Sequence, residues 1–195
     1  MNTLKWWQKT VVYQIYPKSL QDTTGSGQGD IPGIITKLDY LRTLGVGAIW
    51  LTPVYPSPMV DNGYDIADYT GIDPSYGTMA DMETLIAEAK KRDIRIVMDL
   101  VYNHSSDQHA WFQESKSSRD NGRADWYIWR DARADGSAPT NWRGIFGGSA
   151  WTWCEERQQY YLHTFAAAQP DLNWANPAVR TALYQAANFW LDKGV

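Results

Sequence analysis

Asp61-Asn-Gly-Tyr-Asp65 and Asp99-Leu-Val-Tyr-Asn-His104 gather the side chains best suited to chemistry in this 195-residue chain. Carboxylates and an imidazole accept, donate and relay protons, and they grip hydroxyl groups. Tyrosine adds a flat apolar ring with a polar tip. Each run follows a segment that reads as a buried strand, Ala48–Pro53 for the first and Ile94–Met98 for the second. Parallel barrels place chemistry at such strand ends, where the βα loops converge. On spacing alone, an Asn-Gly turn with solvated carboxylates is the simpler explanation of the first run. Asp99 lies within an apolar stretch, where a carboxylate needs hydrogen bonds or a cation. His104 shares that strand end, and its convergence with Asp61, Tyr64 and Asp99 favours a site over a structural histidine.

Other chemistries find less support. His104, His109 and His163 lack a zinc spacing, and the single Cys154 cannot complete one. No serine has the Gly-x-Ser-x-Gly setting of an α/β-hydrolase nucleophile. The glycine-rich Asp22–Asp30 stretch lacks the Gly-Lys-Ser/Thr ending of a phosphate loop. Oxygen-bearing Asp22, Thr24, Ser26 and Asp30, with the Gln28 carbonyl, do resemble a loop for a hard cation such as Ca²⁺. With only two carboxylates the signal is weak, and an ordinary βα loop explains it equally well. No cofactor is otherwise required.

The elements that must position these residues follow from periodicity. Val11–Pro17 reads as a first strand, β-branched and aromatic. Ile34, Leu38, Leu41 and Gly45 fall at the spacing of a first helix, with Pro32 near its start. A second strand covers 48–53. Thr78-Met-Ala-Asp81 opens a second helix with a capping-box pattern; Met82, Leu85, Ile86 and Ala89 form its stripe, and Lys90, Lys91 and Arg92 suit its C-terminal end. The third strand runs from Arg95 to Tyr102. Residues 105–175, rich in Trp, Gly, Ser, Asp and Arg, break the rhythm. A structureless loop of that length is improbable, so an inserted subdomain is expected, with a short strand at Gln159–His163. Asn176-Pro177 starts a third helix with Val179, Leu183, Ala186 and Trp190 on one face, stopped at Gly194.

This β-α-β-α-β-insertion-α order implies a parallel α/β sheet. A full eight-stranded barrel takes about 250 residues. The expected organisation is therefore the N-terminal part of a (β/α)₈ TIM barrel: 1–104 as three strands and two helices, 105–175 as the insertion, and 176–195 as the third helix. A fourth strand would begin at Val195. A smaller open α/β sheet is the competing architecture.

Composition narrows the class. The net charge of −4, with both signs interspersed, gives no basis for binding nucleic acid or an anionic membrane. No apolar run approaches a bilayer span, and the opening Met1–Gln8 has no apolar signal core. The lone Cys154 fits a reducing compartment. A soluble, cytoplasmic protein is expected. Eleven Trp and twelve Tyr against four Phe suit either a core with polar-tipped rings at its surface or a site that stacks rings on sugar faces.

Gln14-Ile-Tyr-Pro17, Asp61–Asp65, Asp99–His104, Phe146-Gly-Gly-Ser-Ala-Trp151 and Gln169-Pro-Asp-Leu-Asn173 together resemble the α-amylase family of glycoside hydrolases, and its oligo-1,6-glucosidase branch in particular. The resemblance runs in order over essentially the whole chain. It implies a (β/α)₈ barrel with a small domain after strand three, and a small α-glucoside as partner. By resemblance, Asp61 would hydrogen-bond a terminal glucose, Tyr64 would stack on it, and His104 would bind near its 6-hydroxyl. Asp99 would orient an arginine, and Phe146 and Phe165 would shape the pocket. Gln169–Asn173 marks the subfamily.

The family works by retention, with an Asp nucleophile on strand four and a Glu acid on strand five, carboxyls about 5–5.5 Å apart. Residues 1–195 are expected to hold half a substrate pocket and no catalytic pair. Thr24 and Ser26 replace the Asn and Asp usual in the family's cation loop. Asp22-Thr-Thr-Gly-Ser-Gly and Pro139-Thr-Asn-Trp142 resemble trehalose-6-phosphate hydrolases instead, with Arg143 a candidate phosphate clamp, whereas Gln169-Pro-Asp leans to oligo-1,6-glucosidases. Sucrose or trehalose isomerisation is a further alternative, as is an inactive amylase-like transporter subunit.

Overall fold

A computed structural model describes residues 4–195. Met1–Thr3, part of the opening read above for a signal core, lie outside the described residues. The chain divides into two compact units. The first takes the chain up to Val54, Thr70–Leu100 and Asn188–Val195; the second takes Tyr55–Tyr69 and Val101–Ala187. This spatial division differs from linear cuts at 104 and 175, because the loop after the second strand groups with the insertion.

The first unit is built on a parallel sheet in the order β1 (Val11–Ile15), β2 (Val46–Leu51), β3 (Arg95–Met98). Ile15 pairs with Leu51, and Leu51 with Met98. Strand order follows chain order without the reversal that marks a doubly wound open sheet. Buried Ile15, Ala48, Ile49, Leu51 and Ile96 give the sheet its apolar side chains.

β1 stops two residues before the expected Pro17, which instead opens a short helix, α1 (Pro17–Leu20). Pro has no N–H to give a strand ladder, but its fixed φ suits a helix start. The expected first helix is two, α2 (Ile31–Thr36) and α3 (Leu38–Thr43). The Thr36 hydroxyl donates to the Gly33 carbonyl at 2.7 Å, a local bond of the kind that competes with continuous helix. Ile34, Leu38 and Leu41 are nonetheless all buried, so the stripe survives the break.

α4 (Met79–Lys91) has the expected capping box: Asp81 N–H donates to Thr78 Oγ1 at 3.2 Å, and Thr78 N–H to Asp81 Oδ2 at 2.8 Å. Met82, Leu85, Ile86 and Ala89 are buried. The Arg92 guanidinium bridges Asp39 and Glu88, which tethers α4 to α3 at the surface.

In the second unit the strand expected at Gln159–His163 is present as the middle of an antiparallel sheet ordered β4 (Trp129–Arg130), β6 (Gln159–Leu162), β5 (Trp151–Cys154), and a helix, α5 (Ala110–Ser117), precedes that sheet. Its interior is aromatic: Phe112 meets Tyr127, Trp129 and Tyr161 with ring centroids 5.0–5.6 Å apart. Such pairs add to the burial of their large areas, which is how a Trp-rich stretch without clear periodicity still makes a core.

α6 (Pro177–Lys193) buries Val179, Leu183, Ala186 and Trp190 as expected, and its residues from Asn188 on belong to the first unit. Gly194, at φ 102°, ends it in the left-handed region. Among the described residues, no helix is long and apolar enough to cross a membrane.

Candidate sugar-binding site

The Asp61 loop is built by a tight turn. Asn62 and Gly63 both have positive φ, 53° and 98°, and Tyr64 N–H donates to the Asp61 carbonyl at 2.9 Å. Two left-handed residues in succession define a turn that Asn-Gly fits better than other pairs. The buried Asp65 carboxylate clamps the same loop, accepting Val60 N–H and Asp61 N–H at 3.0 Å each. The amides of Val60, Asp61 and Tyr64 are thereby satisfied within the loop, and the Asp61 side chain points elsewhere.

It meets Gln169. The amide nitrogen of Gln169 donates to Asp61 Oδ2 at 2.9 Å, and its amide oxygen accepts Ala166 N–H at 3.0 Å. Gln169 is fully buried. A buried amide with both ends bonded is fixed in orientation, so it fixes Asp61 in turn.

His104 is buried beside them. Its Nδ1 faces the Asn103 side-chain nitrogen at 3.1 Å, and its Nε2 faces the Tyr64 carbonyl at 3.0 Å. An amide nitrogen can only donate and a carbonyl can only accept. These partners therefore assign the proton to Nε2 and leave Nδ1 as acceptor. The Gln169 nitrogen also stands 3.2 Å from Nε2, a close approach of two donors, while it gives a hydrogen to Asp61. Burial pushes the His104 pKa below its ordinary value; the Tyr64 carbonyl and the nearby Asp171, Asp61 and Asp65 oppose that shift without cancelling it. The ring is neutral at neutral pH.

Asp171 sets the frame. Its carboxylate accepts from the Asn103 side chain at 3.1 Å, from Thr164 N–H at 2.9 Å and from the Thr164 hydroxyl. Leu172 N–H bonds the Asn103 carbonyl at 2.9 Å, and Ser105 N–H bonds Pro170 at 3.3 Å. Gln169–Asn173 thus lies along residues 103–105 as a short antiparallel pairing, with His104 opposite Asp171.

Of the sequence-predicted sugar-binding residues, Asp61, Tyr64, His104, Phe146 and Phe165 fall in the second unit. The Phe165 ring stands 5.1 Å from that of His104, and Phe146 packs edge-on to Phe165 at 6.1 Å. Phe146 itself is 65% exposed. Asp99 falls in the first unit, immediately after β3, which ends at Met98 and not at the expected Tyr102. Its carboxylate is half-buried, not sealed in an apolar run, and it accepts from the Trp50 indole at 3.3 Å. Period-two burial explains this: Ile96 and Met98 turn inward, while Asp99 stands where the strand has ended. Gln169 and Asp171 were not expected in the site from sequence. Their signal was the Gln169-Pro-Asp motif, read there as a subfamily mark.

The Asp22–Asp30 loop closes on itself. Asp22 accepts from Thr24 N–H, Gly25 N–H and Gly27 N–H at 2.7–2.9 Å. These bonds hold its carboxyl below the usual carboxylate range, Gly27 most strongly. Asp30 caps α2 through Gly33 N–H at 2.6 Å and accepts Thr23 N–H at 2.9 Å. Both carboxylates already serve the loop's own amides. Among the described residues, no group of three or more His, Cys, Asp or Glu is placed to hold a metal. The donor set therefore fits a resident cation poorly.

Comparison with known proteins places this geometry. Residues 14–195 match the family model "Alpha amylase, catalytic domain". The chain belongs to the α-amylase family, and its three parallel strands open that family's (β/α)₈ barrel. It is 60% identical over 190 residues to a trehalose-6-phosphate hydrolase of Escherichia coli strain K12, covering 97% of this chain and 34% of that protein. It is 59% identical over 191 residues to an oligo-1,6-glucosidase of Halalkalibacterium halodurans, covering 98% and 34%. A crystal structure of the isomaltulose synthase of Protaminobacter rubrum superposes with a TM-score of 0.97 at 57% identity, over 100% of this chain and 35% of that one. The chain thus spans about a third of the length of the relatives it matches.

Proposed function

We propose that this chain supplies the terminal-glucose-binding part of a retaining α-glucosidase acting on short α-linked glucosides. The observation that carries this reading is the Asp61 carboxylate, held by buried Gln169 beside a neutral His104 and the Phe165 ring. A fixed carboxylate accepts two vicinal sugar hydroxyls, and a fixed ring covers an apolar sugar face. Asp61 and His104 grip the glucose most strongly as its ring distorts toward the oxocarbenium-like transition state. Tyr64 stacks on the same sugar, Phe146 and Phe165 wall it, and Asp99 orients an arginine outside these residues. The nucleophile and acid belong, by family resemblance, to strands four and five, so residues 1–195 alone hydrolyse nothing. No divalent ion is needed for this chemistry, and the reading includes a cytoplasmic setting.

The named relatives are enzymes, which supports catalysis over a binding-subunit role. Trehalose-6-phosphate hydrolysis is the second reading. It is favoured by Asp22-Thr-Thr-Gly-Ser-Gly and by the Escherichia coli relative, and matched closely by the oligo-1,6-glucosidase likeness. The test is turnover by a polypeptide of the relatives' length carrying these residues, on isomaltose, trehalose-6-phosphate, sucrose and starch. Release of single glucose units from short substrates is expected. Rapid release of long oligosaccharides from starch would sink the reading, and a strict phosphate requirement would move it to trehalose-6-phosphate.

A further inference from the structure

Asp171 and Asp61 stand at the two ends of a run of polar side chains, all within the second unit. The Asn103 side-chain nitrogen lies 3.1 Å from Asp171 Oδ1 and 3.1 Å from His104 Nδ1. His104 Nε2 lies 3.2 Å from the Gln169 nitrogen, which lies 2.9 Å from Asp61 Oδ2. Asp171 is the fixed end. It is 5% exposed, its N–H donates to the Leu162 carbonyl at 2.9 Å, and Thr164 gives its carboxylate both an N–H and a hydroxyl.

A carboxylate accepts, and only the amide nitrogen of Asn103 can donate to it. Both hydrogens of that nitrogen are then placed, one on Asp171 and one on His104 Nδ1, so the ring carries its proton on Nε2. The opposite tautomer would set like groups together twice: Nδ1–H against the Asn103 nitrogen, and a bare Nε2 against the Tyr64 carbonyl at 3.0 Å. The Nε2–H form has one such contact, with the Gln169 nitrogen. Gln169 cannot turn over to relieve it, because its oxygen would then face Asp61 and its nitrogen the Ala166 N–H. That contact has a consequence. A protonated Nε2 offers Gln169 no lone pair, so of these two neighbours Asp61 alone accepts from the amide. A bare Nε2 would compete with Asp61 for the same nitrogen.

We propose that Asp171 and Asn103 are positioning residues for Asp61: they hold His104 in its Nε2–H form, and that form directs the Gln169 amide to the Asp61 carboxylate. This rests on the glucosidase reading above, in which Asp61 grips the sugar. Asp171 and Asn103 act through other side chains and need not reach the sugar themselves. Exchanging a carboxylate for an amide beside a histidine switches its tautomer while the geometry is kept, and Asn103→Asp makes that exchange in reverse.

The experiment compares Asn103→Asp and Asn103→Ala in a polypeptide of the relatives' length. Nitrogen-15 spectra of the histidine rings, taken at about pH 9, above the range in which histidine titrates, report which ring nitrogen carries the proton; His104→Gln assigns the signals. The parent should show a bare Nδ1 and a protonated Nε2, and Asn103→Asp should show a protonated Nδ1. With that switch, kcat/KM on isomaltose should fall about tenfold, as expected for weakening one hydrogen bond to a charged group. Asn103→Ala removes the donor without adding an acceptor, so it should keep the Nε2–H form and lose less activity. Asp171→Ala, which releases the Asn103 amide, should mix the two forms, and Asp171→Asn, which keeps an acceptor for it, should not. A parent with Nδ1 protonated would overturn the proposal without any variant. So would a switched ring with unchanged kcat/KM, or an Asn103→Ala loss as large as that of Asn103→Asp, which would mean that Asn103 only supports the fold. A parent inert toward isomaltose, trehalose-6-phosphate and sucrose would instead defeat the glucosidase reading, and the ring spectra would still decide how His104 is held.

Discussion

The Asp22–Asp30 loop and the Asp61–Gln169 cluster are both centred on carboxylates, but they satisfy them in opposite ways. In the glycine-rich loop, Asp22 accepts from Thr24, Gly25 and Gly27, all within five residues of it. The Asp61 carboxylate takes its donor from Gln169, 108 residues away. A local solution needs only a turn, and it leaves the charge spent on the loop's own amides. A nonlocal one needs a folded unit to assemble it, and folding entropy must be met by the whole unit's packing. The first arrangement is how a chain builds a loop. The second is how it builds a site, since the carboxylate keeps acceptor capacity for a ligand while its orientation is fixed from outside.

The sharpest test of that contrast removes the nonlocal carboxylate. In a polypeptide of the relatives' length, Asp61→Ala should lower kcat/KM on isomaltose at least 100-fold, since hydrogen bonds to a charged group are worth about 1.5–3 kcal/mol each and more than one is lost. Tm should change little, because the Asp61 backbone is clamped by Asp65. Near-normal kcat/KM with intact folding would remove Asp61 from the site.

Gln169→Leu should give the next largest effect. It keeps the volume but removes the donor to Asp61 and the acceptor for Ala166 N–H. About tenfold lower kcat/KM is expected from the lost charged hydrogen bond, with about 1–3 kcal/mol lost in stability from the orphaned buried amide. Gln169→Glu should be worse for activity than Gln169→Leu, because it sets a second carboxylate against Asp61. If Gln169→Glu were as active as the parent, Gln169 would not be orienting Asp61.

A third test stays within the second unit but away from the sugar. His109 caps α5: its Nδ1 accepts Trp111 N–H at 3.0 Å. Burial lowers its pKa to about 4, with Arg123 adding to the shift and Asp68 opposing it. Tyr69 and Trp111 pack against its ring. Protonation would also place a hydrogen on the capping nitrogen. The folded pKa lies below the unfolded value near 6.5, so the unfolded chain binds the proton first as pH falls. Stability is therefore fully present above about pH 6.5 and lost down to about pH 4, amounting to roughly 3 kcal/mol. His109→Asn keeps a capping acceptor without the titration. It should flatten the fall in Tm between pH 6.5 and 4; an unchanged slope would show that His109 does not govern it.

The same contrast explains what was legible in the sequence. Local patterns read well: the Thr78–Asp81 box, the α4 and α6 stripes, the Asn62-Gly63 turn and the stop at Gly194 all depend on neighbours in sequence. The Asp61, Tyr64 and His104 positions were readable because they sit at strand ends and in specific motifs. The break at Lys37 was not, since Ile34, Leu38 and Leu41 keep their helical spacing across it. β5 is a four-residue strand that pairs with β6 across the short 155–158 turn, and only its brevity hid it; β4 is shorter still, and its partners Tyr160 and Tyr161 lie far along the chain. Gln169's role was hidden for the same reason. Glutamine at a given position says nothing about what its amide will reach until the fold brings residues 61 and 169 together.

The smallest effects on activity should come from the loop that solved its own charge. One glycine of the loop and one just beyond it in α2 are needed for packing: a Cβ on Gly29 would lie 2.2 Å from the Pro17 carbonyl oxygen, and one on Gly33 would lie 2.1 Å from that of Gln21. The loop and the start of α2 are thus seated against residues 17–21 by close backbone approach. Asp30→Asn keeps an N-cap acceptor for Gly33 N–H but sets an amide NH2 against Thr23 N–H, so it should cost about 1–3 kcal/mol in stability without touching the sugar-binding residues. A bound Ca²⁺ would need several oxygens at 2.3–2.6 Å, and tight sites gain their affinity from carboxylate charge. Here Asp22 and Asp30 supply all the charge, and recruiting them means breaking bonds to Thr23, Thr24, Gly25 and Gly27. Calorimetric titration with Ca²⁺ should therefore show weak binding in the millimolar range. Chelator treatment should leave kcat/KM unchanged, and so should Asp30→Asn. A tight site abolished by Asp30→Asn, with activity falling alongside it, would erase the distinction between the two regions: the loop too would then be holding its carboxylates ready for a ligand.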